Sequence, residues 1–357
     1  MSSTASSHPA PDYGWRTPLV VIVAGCLIAM VGFGIRSVFG LFLEPMTVAH
    51  GWDRSTFGLA MAIQNLLWGV GVPVAGMIAD RYGPSRERRS LALGLGTASG
   101  SFGQVVFSPL GQAFIHQFGW EPALGYLAMS ALLVIPLAFV LPNVQAPKGE
   151  TLHNQSLGQA LREANGHRGF VLLTVGFFVC GFHVAFITVH FPAYVTDLGL
   201  DPSVGATALA LVGFFNIAGS FGSGMFGQRF SKKTGLAWIY FLRSIAIVGL
   251  LLAPKTDLTI YLFAGSMGLL WLSTVPLTTG IVAQVFGVRY MATLFGVVFL
   301  SHQLGSFLGV WLGGYLYDTV GSYDGVWWAG VALGLVAAGI HVAIDEKPLA
   351  RLTPATA

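Results

Sequence analysis

The chain has 357 residues, of which 54% are hydrophobic and only 9% are charged, and its formal net charge is +3. Soluble domains carry about 25% charged residues, so this composition excludes a soluble globular protein and indicates that lipid surrounds the fold. The sequence has no basic cluster with interleaved aromatic residues, which excludes a nucleic-acid-binding protein. Cys26 and Cys180 both lie in apolar runs and predict neither a disulfide nor a metal site.

Apolar segments of membrane-spanning length follow one another along most of the chain. Because they are long and uniformly apolar, they favour helices over the short alternating strands of a barrel. The sequence therefore predicts an all-α membrane protein with about ten transmembrane helices. The predicted spans lie near 18–43, 56–79, 90–116, 121–142, 170–196, 203–227, 236–254, 258–286, 293–317 and 324–344.

A polar linker divides these spans into two bundles, four helices before it and six after it. The linker contains a short amphipathic stretch, Ser156 to Arg162. The first dozen residues lack the apolar region of a cleavable signal, so we expect the first helix to direct its own insertion. The predicted domains are a tail at 1–17, a first bundle at 18–142, the linker at 143–169, a second bundle at 170–345 and a tail at 346–357.

Lysine and arginine are distributed unevenly between the predicted loops. Of the 18, 14 fall on one side, only Arg54 and Lys255 fall on the other, and two lie inside helices. Cytoplasmic loops carry the excess of Lys and Arg. The distribution therefore predicts a multi-pass protein of a bacterial inner membrane with both termini in the cytoplasm.

Three sets of matching residues indicate an internal repeat. The segment 76–83 is echoed by 224–230 at an offset of 148 residues. Upstream, Gly34 and Arg36 align with Gly181 and His183 at an offset of 147 residues. At an offset of 202 residues, the third set pairs Gly94, Gly103, Gly111 and Gly119 with Gly296, Gly305, Gly313 and Gly321.

The offset grows by 54 residues, from 148 at segment 76–83 to 202 in the third set. That length corresponds to two spans and a loop. The second half has such a pair at about 236–286, whereas the first half passes directly from 76–83 into the charged run 84–89. The sequence therefore predicts that the first half lacks the counterparts of this helix pair.

The segment 76–83 resembles the G-x-x-x-D-R-x-G loop motif of the major facilitator superfamily, which follows the second helix. Two six-helix halves related by an axis along the membrane normal are that superfamily's plan, so the resemblance implies that the third and fourth helices of twelve are missing. Residues 34–42 resemble the first helix of the monocarboxylate-transporter-like branch, where a cation occupies this place. Asn216 and Ser220 stand where eukaryotic members carry an Asp and an Arg, so the resemblance supports no such proton-coupling pair.

Ionisable groups inside a membrane are costly and are hypotheses of function. Arg36 is either an anchor for an anionic substrate, since guanidinium groups bind carboxylates bidentately, or a side chain that snorkels to the headgroups. We expect His183, its repeat counterpart, to flank the same site. Histidine titrates near neutral pH, so His183 and His190 are candidates for proton coupling, with structural hydrogen bonding as the alternative.

Other polar residues inside the predicted helices are weaker candidates for substrate binding. His302 and Gln303 could bind substrate or join close-packed helices, and the same alternatives hold for Gln64 and Asn216. Arg243 could bind substrate or snorkel. No Asp or Glu falls in the middle of a predicted helix, so a metal-ion site is not expected.

The loop motif predicts a gate. Gly76, Asp80, Arg81 and Gly83 carry the resemblance, and an Asp at this place can cap neighbouring helix ends at the cytoplasmic face. Basic residues around it would meet anionic lipid. We expect these residues to control conformational change, without contacting substrate.

Together these features predict a secondary transporter that moves a small organic anion, such as a monocarboxylate, by alternating access with proton coupling. A carrier of a neutral metabolite or drug, and a shortened family member that no longer transports, are the alternatives. We find no nucleophile–base arrangement, metal-ligand spacing or phosphate loop, so neither an enzyme nor a cofactor is expected. The expected partners are the substrate, membrane lipids and a second copy in a homodimer.

Overall fold

The computed structural model describes residues 17–82, 86–141 and 155–352, and for residues 18, 79, 81, 82 and 86–95 it describes the backbone alone. Within these ranges the chain is helical. The helices are α1 (Pro18–Ser37), α2 (Leu43–His50), α3 (Arg54–Tyr82), α4 (Arg86–Phe118), α5 (Trp120–Leu132), α6 (Val134–Val140), α7 (Leu157–Gly166), α8 (Arg168–Asp197), α9 (Pro202–Arg229), α10 (Lys232–Leu252), α11 (Asp257–Leu270), α12 (Thr274–Phe286), α13 (Met291–Val320) and α14 (Asp324–Val342).

The described helices form the ten predicted spans. Three spans are interrupted: α1 continues through a 3-10 turn into α2, α5 into α6, and α11 into α12. Nine of the described segments are long and apolar enough to cross a membrane. The tenth span, α4, is long enough at 33 residues, but its charged start and its glycines and serines make it less apolar.

Capping residues mark where several helices begin and end. Thr17 accepts a hydrogen bond at the start of α1, and Asp201 does so at the start of α9, each before a proline in the first turn. Gly51 and Gly321 close α2 and α13 with positive φ angles of 65° and 75°, a conformation that glycine adopts without steric cost.

The same helix arrangement recurs in the two halves. In the first, α1 packs along α4, and in the second, α8 packs along α13. The halves meet where α3 packs on α13, where α4 packs on α9, and where α2 and the 3-10 turn before it pack on α8. We call the membrane end at which α1 begins and α6 ends the linker side, and the opposite end the far side.

Close glycine contacts confirm the predicted alignment. A Cβ on Gly34 would lie 2.8 Å from the Gly103 carbonyl oxygen, and one on Gly103 would meet the Met30 carbonyl. At the aligned positions, a Cβ on Gly181 would meet the His302 carbonyl, and one on Gly305 would meet the Phe178 carbonyl. Both crossings depend on the absence of a side chain, because small residues let helix backbones approach closely.

The missing helix pair leaves one face of α3 exposed, whereas the corresponding face of α9 is covered. In the second half, α11 covers α9, and Val212 is fully buried against Gly268. The counterpart of Val212 on α3, at the offset of 148, is Gln64, which is exposed, and three residues on Leu67 is 68% exposed. No described helix covers this face of α3, as the repeat predicts.

The linker helix α7 and the chain after α14 are fastened to the linker side of the second half. Glu163 on α7 accepts hydrogen bonds from Arg351, the shortest at 2.8 Å, and Arg351 also donates to the Phe286 carbonyl at 3.0 Å. The Tyr290 hydroxyl donates to the Gln155 carbonyl at 2.9 Å. The hydrogen bonds from Arg351 hold the pKa of the Glu163 carboxyl below its usual range.

Candidate functional site

Arg36 is a half-buried cation between α1 and α3. Its guanidinium donates to the side-chain oxygen of Asn65, and its Cζ lies 4.3 Å from the centre of the Trp68 ring. Neither neighbour is anionic, and no described Asp or Glu forms an ion pair with Arg36. An amide and an aromatic face stabilise a guanidinium without neutralising it, so this side chain keeps an uncompensated positive charge.

His302 and Gln303 lie on α13 where it crosses α8 and α3. Gln303 donates to the Asn65 carbonyl at 3.1 Å, and its side-chain oxygen accepts from Ser306 at 3.1 Å and from His302 at 2.9 Å. Ser306 in turn lies 3.2 Å from the Gly181 carbonyl. Gln303 is fully buried. These contacts match the interhelical alternative in the sequence interpretation.

His183 does not lie beside Arg36. Its Nε2 lies 2.8 Å from the Gly330 carbonyl on α14, and its ring also contacts Gly334. At 2% exposure it is enclosed within the second half. The expectation that Arg36 and His183 flank one site is therefore wrong, because His183 points towards α14 while Arg36 reaches across to α3.

His190 belongs to a cluster near the far side. Its Nε2 lies 2.8 Å from the Val310 carbonyl and its Nδ1 lies 3.2 Å from the Tyr323 hydroxyl. Arg54 donates to the same hydroxyl at 2.8 Å. Because a carbonyl oxygen only accepts, Nε2 of His190 carries the proton, and Nδ1 of the neutral ring accepts from the Tyr323 hydroxyl.

The same cluster joins the first half to the second. Arg54, at the start of α3, makes two hydrogen bonds of 2.6 and 2.8 Å to the carboxylate of Asp197, at the end of α8. Its Cζ lies 3.7 Å from the ring centre of Tyr317 on α13. Glu44 on α2 accepts from Thr196 on α8 at 2.6 Å. Paired charges therefore bridge the halves on the far side.

Arg243 and Asn216 support the break between α11 and α12. Arg243 donates to the carbonyls of Leu270, at 2.7 Å, and Trp271, and Asn216 accepts from the Leu272 amide at 2.9 Å. Arg243 is fully buried, so the snorkelling interpretation does not hold. Both side chains satisfy backbone groups that the broken helix leaves without helical partners.

The gate motif lies at the linker side, where α3 meets α13. Asp80 accepts hydrogen bonds from the amides of Ala292, at 3.2 Å, and Thr293, at 2.7 Å. A Cβ on Gly76 would lie 2.6 Å from the Ala292 carbonyl. Asp80 therefore caps the first turn of α13. The Arg81 side chain and Gly83 lie outside the described residues.

Known proteins share this architecture. The sequence profile of the Major Facilitator Superfamily matches residues 84–310, more than half of the chain. The chain belongs to the Major Facilitator Superfamily.

Relatives within the superfamily are similar over most of their length. An uncharacterized MFS-type transporter, YcxA of Bacillus subtilis, is 25% identical over 301 residues, covering 80% of this chain and 72% of the relative. Monocarboxylate transporter 13 of Bos taurus is 23% identical over 391 aligned positions, covering 94% of this chain and 91% of the relative. These similarities confirm the resemblance to monocarboxylate transporters.

A solved superfamily structure shows the same fold. The inward-facing, unoccupied form of a bacterial homologue of the human lysosomal transporter Spinster superposes with a TM-score of 0.65, at 15% identity, covering 92% of this chain and 96% of the other. Family and fold together indicate a membrane transporter rather than an enzyme.

Two buried polar residues on α4 are not among the site residues that the sequence predicts. Gln104 and Ser108 lie one turn apart, with 1% and 0% exposure, and their side-chain polar atoms make no hydrogen bond to any described residue. Gln104 contacts Gly213 on α9. Their four-residue spacing within an apolar helix was the available signal.

Proposed function

We propose that this superfamily member is a secondary active transporter that moves a small organic anion of the monocarboxylate class by alternating access, coupled to protons. The observation that carries the proposal is the uncompensated cation Arg36. Its described partners are Asn65 and Trp68. An arginine at membrane depth costs a few kcal/mol, which an anionic ligand would offset.

The chemistry of the spans supports an anion over a cation. Within the described spans, the carboxylates lie towards helix ends, as Glu44, Asp80 and Asp318 do. Guanidinium is the side chain best suited to bind carboxylate through two parallel hydrogen bonds. Asn65, with its amide beside the guanidinium, would orient the ligand.

Contacts at both ends of α3 support alternating access. On the far side, Arg54 pairs with Asp197 across the halves, and on the linker side Asp80 caps α13. These contacts are polar and reversible. Breaking one set while keeping the other would open the site to one side only.

His190 is the proposed proton carrier. Protonating its Nδ1 would force the Tyr323 hydroxyl to become an acceptor there while it still accepts from Arg54. The hydrogen bonds around Arg54 and Asp197 would then rearrange, and Asp318 lies on the same end of α13. Proton uptake would in this way weaken the far-side closure.

We further propose that both termini face the cytoplasm of a bacterial cell, in agreement with the charge distribution. This places the linker side inward and the Arg54 cluster outward. The homodimer expected from the sequence remains a prediction.

The test is uptake of radiolabelled lactate and pyruvate into proteoliposomes, with and without an inward proton gradient. We expect gradient-driven uptake that Arg36→Ala abolishes and that Arg243→Lys leaves measurable. Uptake unchanged by Arg36→Ala would contradict the assignment of the site.

A non-transporting membrane protein is the second candidate, and the uncovered face of α3 favours it. In that case no acid, neutral metabolite or drug would accumulate in vesicles that hold folded protein. Inserting a helix pair after Gly83 would restore transport if the missing pair alone had abolished it.

A further inference from the structure

A gap separates α1 from α3, although the two spans are consecutive. Helix α1 packs on α4, α5 and α6, whereas α3 packs on α13 and on the short α2. Across the gap, the Arg36 side chain reaches Asn65 and Trp68. Trp68 is 40% exposed, so the place occupied by the guanidinium lies at the edge of the helix assembly.

Glycines form both walls of this gap. On α1, Gly32 lies one turn before Arg36, and Gly25 lies two turns earlier on the same face. On α3, Gly71 lies one turn after Trp68. A Cβ added to any of these three glycines would meet nothing within 4 Å, so both helices leave open space beside Arg36 on these faces.

The surroundings of this open space are apolar. On α3, Leu67 and Val74 lie on the face of Gly71 and are 68% and 49% exposed. On α1, Val21 and Ile28 lie four residues before Gly25 and Gly32, on the same face, and both are half-buried. A charged head and an apolar open space thus lie next to each other.

The second half shows that this place is closed when the helix pair is present. The counterpart of Gly32 is Val179, which is 3% exposed and belongs to a core cluster with Tyr240 on α10 and Ile281 on α12. The counterpart of Arg36 is His183, which is also enclosed. Because the first half lacks the pair, the same place opens sideways to the bilayer.

We propose that this gap is a lateral portal and that the substrate is an amphiphilic carboxylate with a single alkyl chain. Its carboxylate would bind Arg36 and Asn65, and its chain would lie between Gly32 and Gly71. The portal rests on the proposed function, since it takes Arg36 as the anion ligand. Charge complementarity selects the head group, and the apolar open space selects an unbranched chain.

Equilibrium binding to purified protein in nanodiscs tests the portal with two probes, radiolabelled butyrate and radiolabelled decanoate. We expect decanoate to bind at least tenfold more tightly than butyrate, with both signals lost in Arg36→Gln. Gly32→Leu and Gly71→Leu fill open space, so the fold should persist, as checked by thermal unfolding. Each should weaken decanoate binding at least fivefold and change butyrate binding less than twofold.

Gly249→Leu is the matched control, since Gly249 on α10 also has nothing within 4 Å of a Cβ. It should change neither affinity. Arg36-dependent butyrate binding without tighter decanoate binding would overturn the portal and leave the proposed function standing. Butyrate and decanoate affinities that are unchanged in Arg36→Gln would overturn both the portal and the proposed function. If the protein is a dimer and Gly32→Leu leaves decanoate affinity unchanged, the gap is occupied by a second copy of the chain instead.

Discussion

Asp80 and Asp318 lie at opposite ends of the antiparallel pair α3 and α13, and each carboxylate caps the first turn of the other helix. Asp80 accepts from the Thr293 amide at 2.7 Å, and Asp318 accepts from the amides of Arg54 and Ser55 at 3.0 and 2.8 Å. A carboxylate at a helix amino terminus is stabilised by the helix dipole and by the unpaired amides. The interface between the halves is therefore fastened at both membrane ends by equivalent contacts.

Replacing either aspartate should loosen one end alone. Asp318→Asn removes charge-assisted hydrogen bonds worth roughly 1.5–3 kcal/mol, so amides at the start of α3 should exchange hydrogen about tenfold faster. Asp80→Asn should do the same at the start of α13. Hydrogen–deuterium exchange with mass spectrometry measures both, and Asp257→Asn on the exposed start of α11 is the control. Equal changes at both ends would contradict independent caps.

The pair of Arg54 and Asp197 should be exchangeable. Arg54→Asp leaves two carboxylates facing each other on the far side and should favour opening there. The double variant with Asp197→Arg should restore much of the closure, because the ion pair re-forms with reversed polarity. Spin labels on α2 and α8 would report the far-side separation. A double variant as open as the single one would show that Tyr323 and Tyr317, rather than the pair, hold this end.

Arg243 and Asn216 should matter for stability more than for substrate affinity. Removing either leaves buried backbone groups of the helix break without partners, at a cost of about 1–3 kcal/mol each. Arg243→Met and Asn216→Ala should therefore lower the unfolding temperature in detergent. A folded Arg243→Met protein with unchanged stability and lost anion affinity would instead make Arg243 a substrate ligand.

The pair of Glu163 and Arg351 should stabilise the linker helix in a pH-dependent manner. Because the folded-state pKa of Glu163 is depressed, its contribution is complete above the unfolded carboxyl pKa of about 4.3. The contribution is lost as pH falls through the lower folded value. Glu163→Gln should therefore lower the unfolding temperature at pH 7. In acid, the unfolding temperatures of the variant and the parent protein should become equal.

Arg351→Gln completes a double-mutant cycle for this pair. A coupling free energy between Glu163 and Arg351 that is the same in acid as at pH 7 would contradict an ionic origin.

The repeat could be predicted from the sequence because it depends on local residue types. Gly103 and Gly305 lie at helix crossings where a side chain cannot fit, and their separation along the chain equals the offset of the third set. The length of the offset change then located the missing helix pair. These features require no knowledge of which way any side chain points.

Side-chain directions could not be predicted in the same way. Arg36 and His183 are aligned, yet His183 is enclosed by α14 and its neighbours, while Arg36 reaches across to Asn65 and Trp68 on α3. The difference comes from long-range packing. Arg54 could be recognised in the sequence, because Arg54 and Lys255 are the two cations in the loops opposite the loops rich in Lys and Arg.

Counterflow in proteoliposomes tests the central claim most directly. Vesicles loaded with unlabelled lactate, at equal pH on both sides, receive trace labelled lactate outside. An alternating-access anion carrier predicts a transient overshoot of labelled lactate that Arg36→Gln abolishes while the protein stays folded. Absence of an overshoot with lactate, pyruvate, butyrate and decanoate alike would contradict the account.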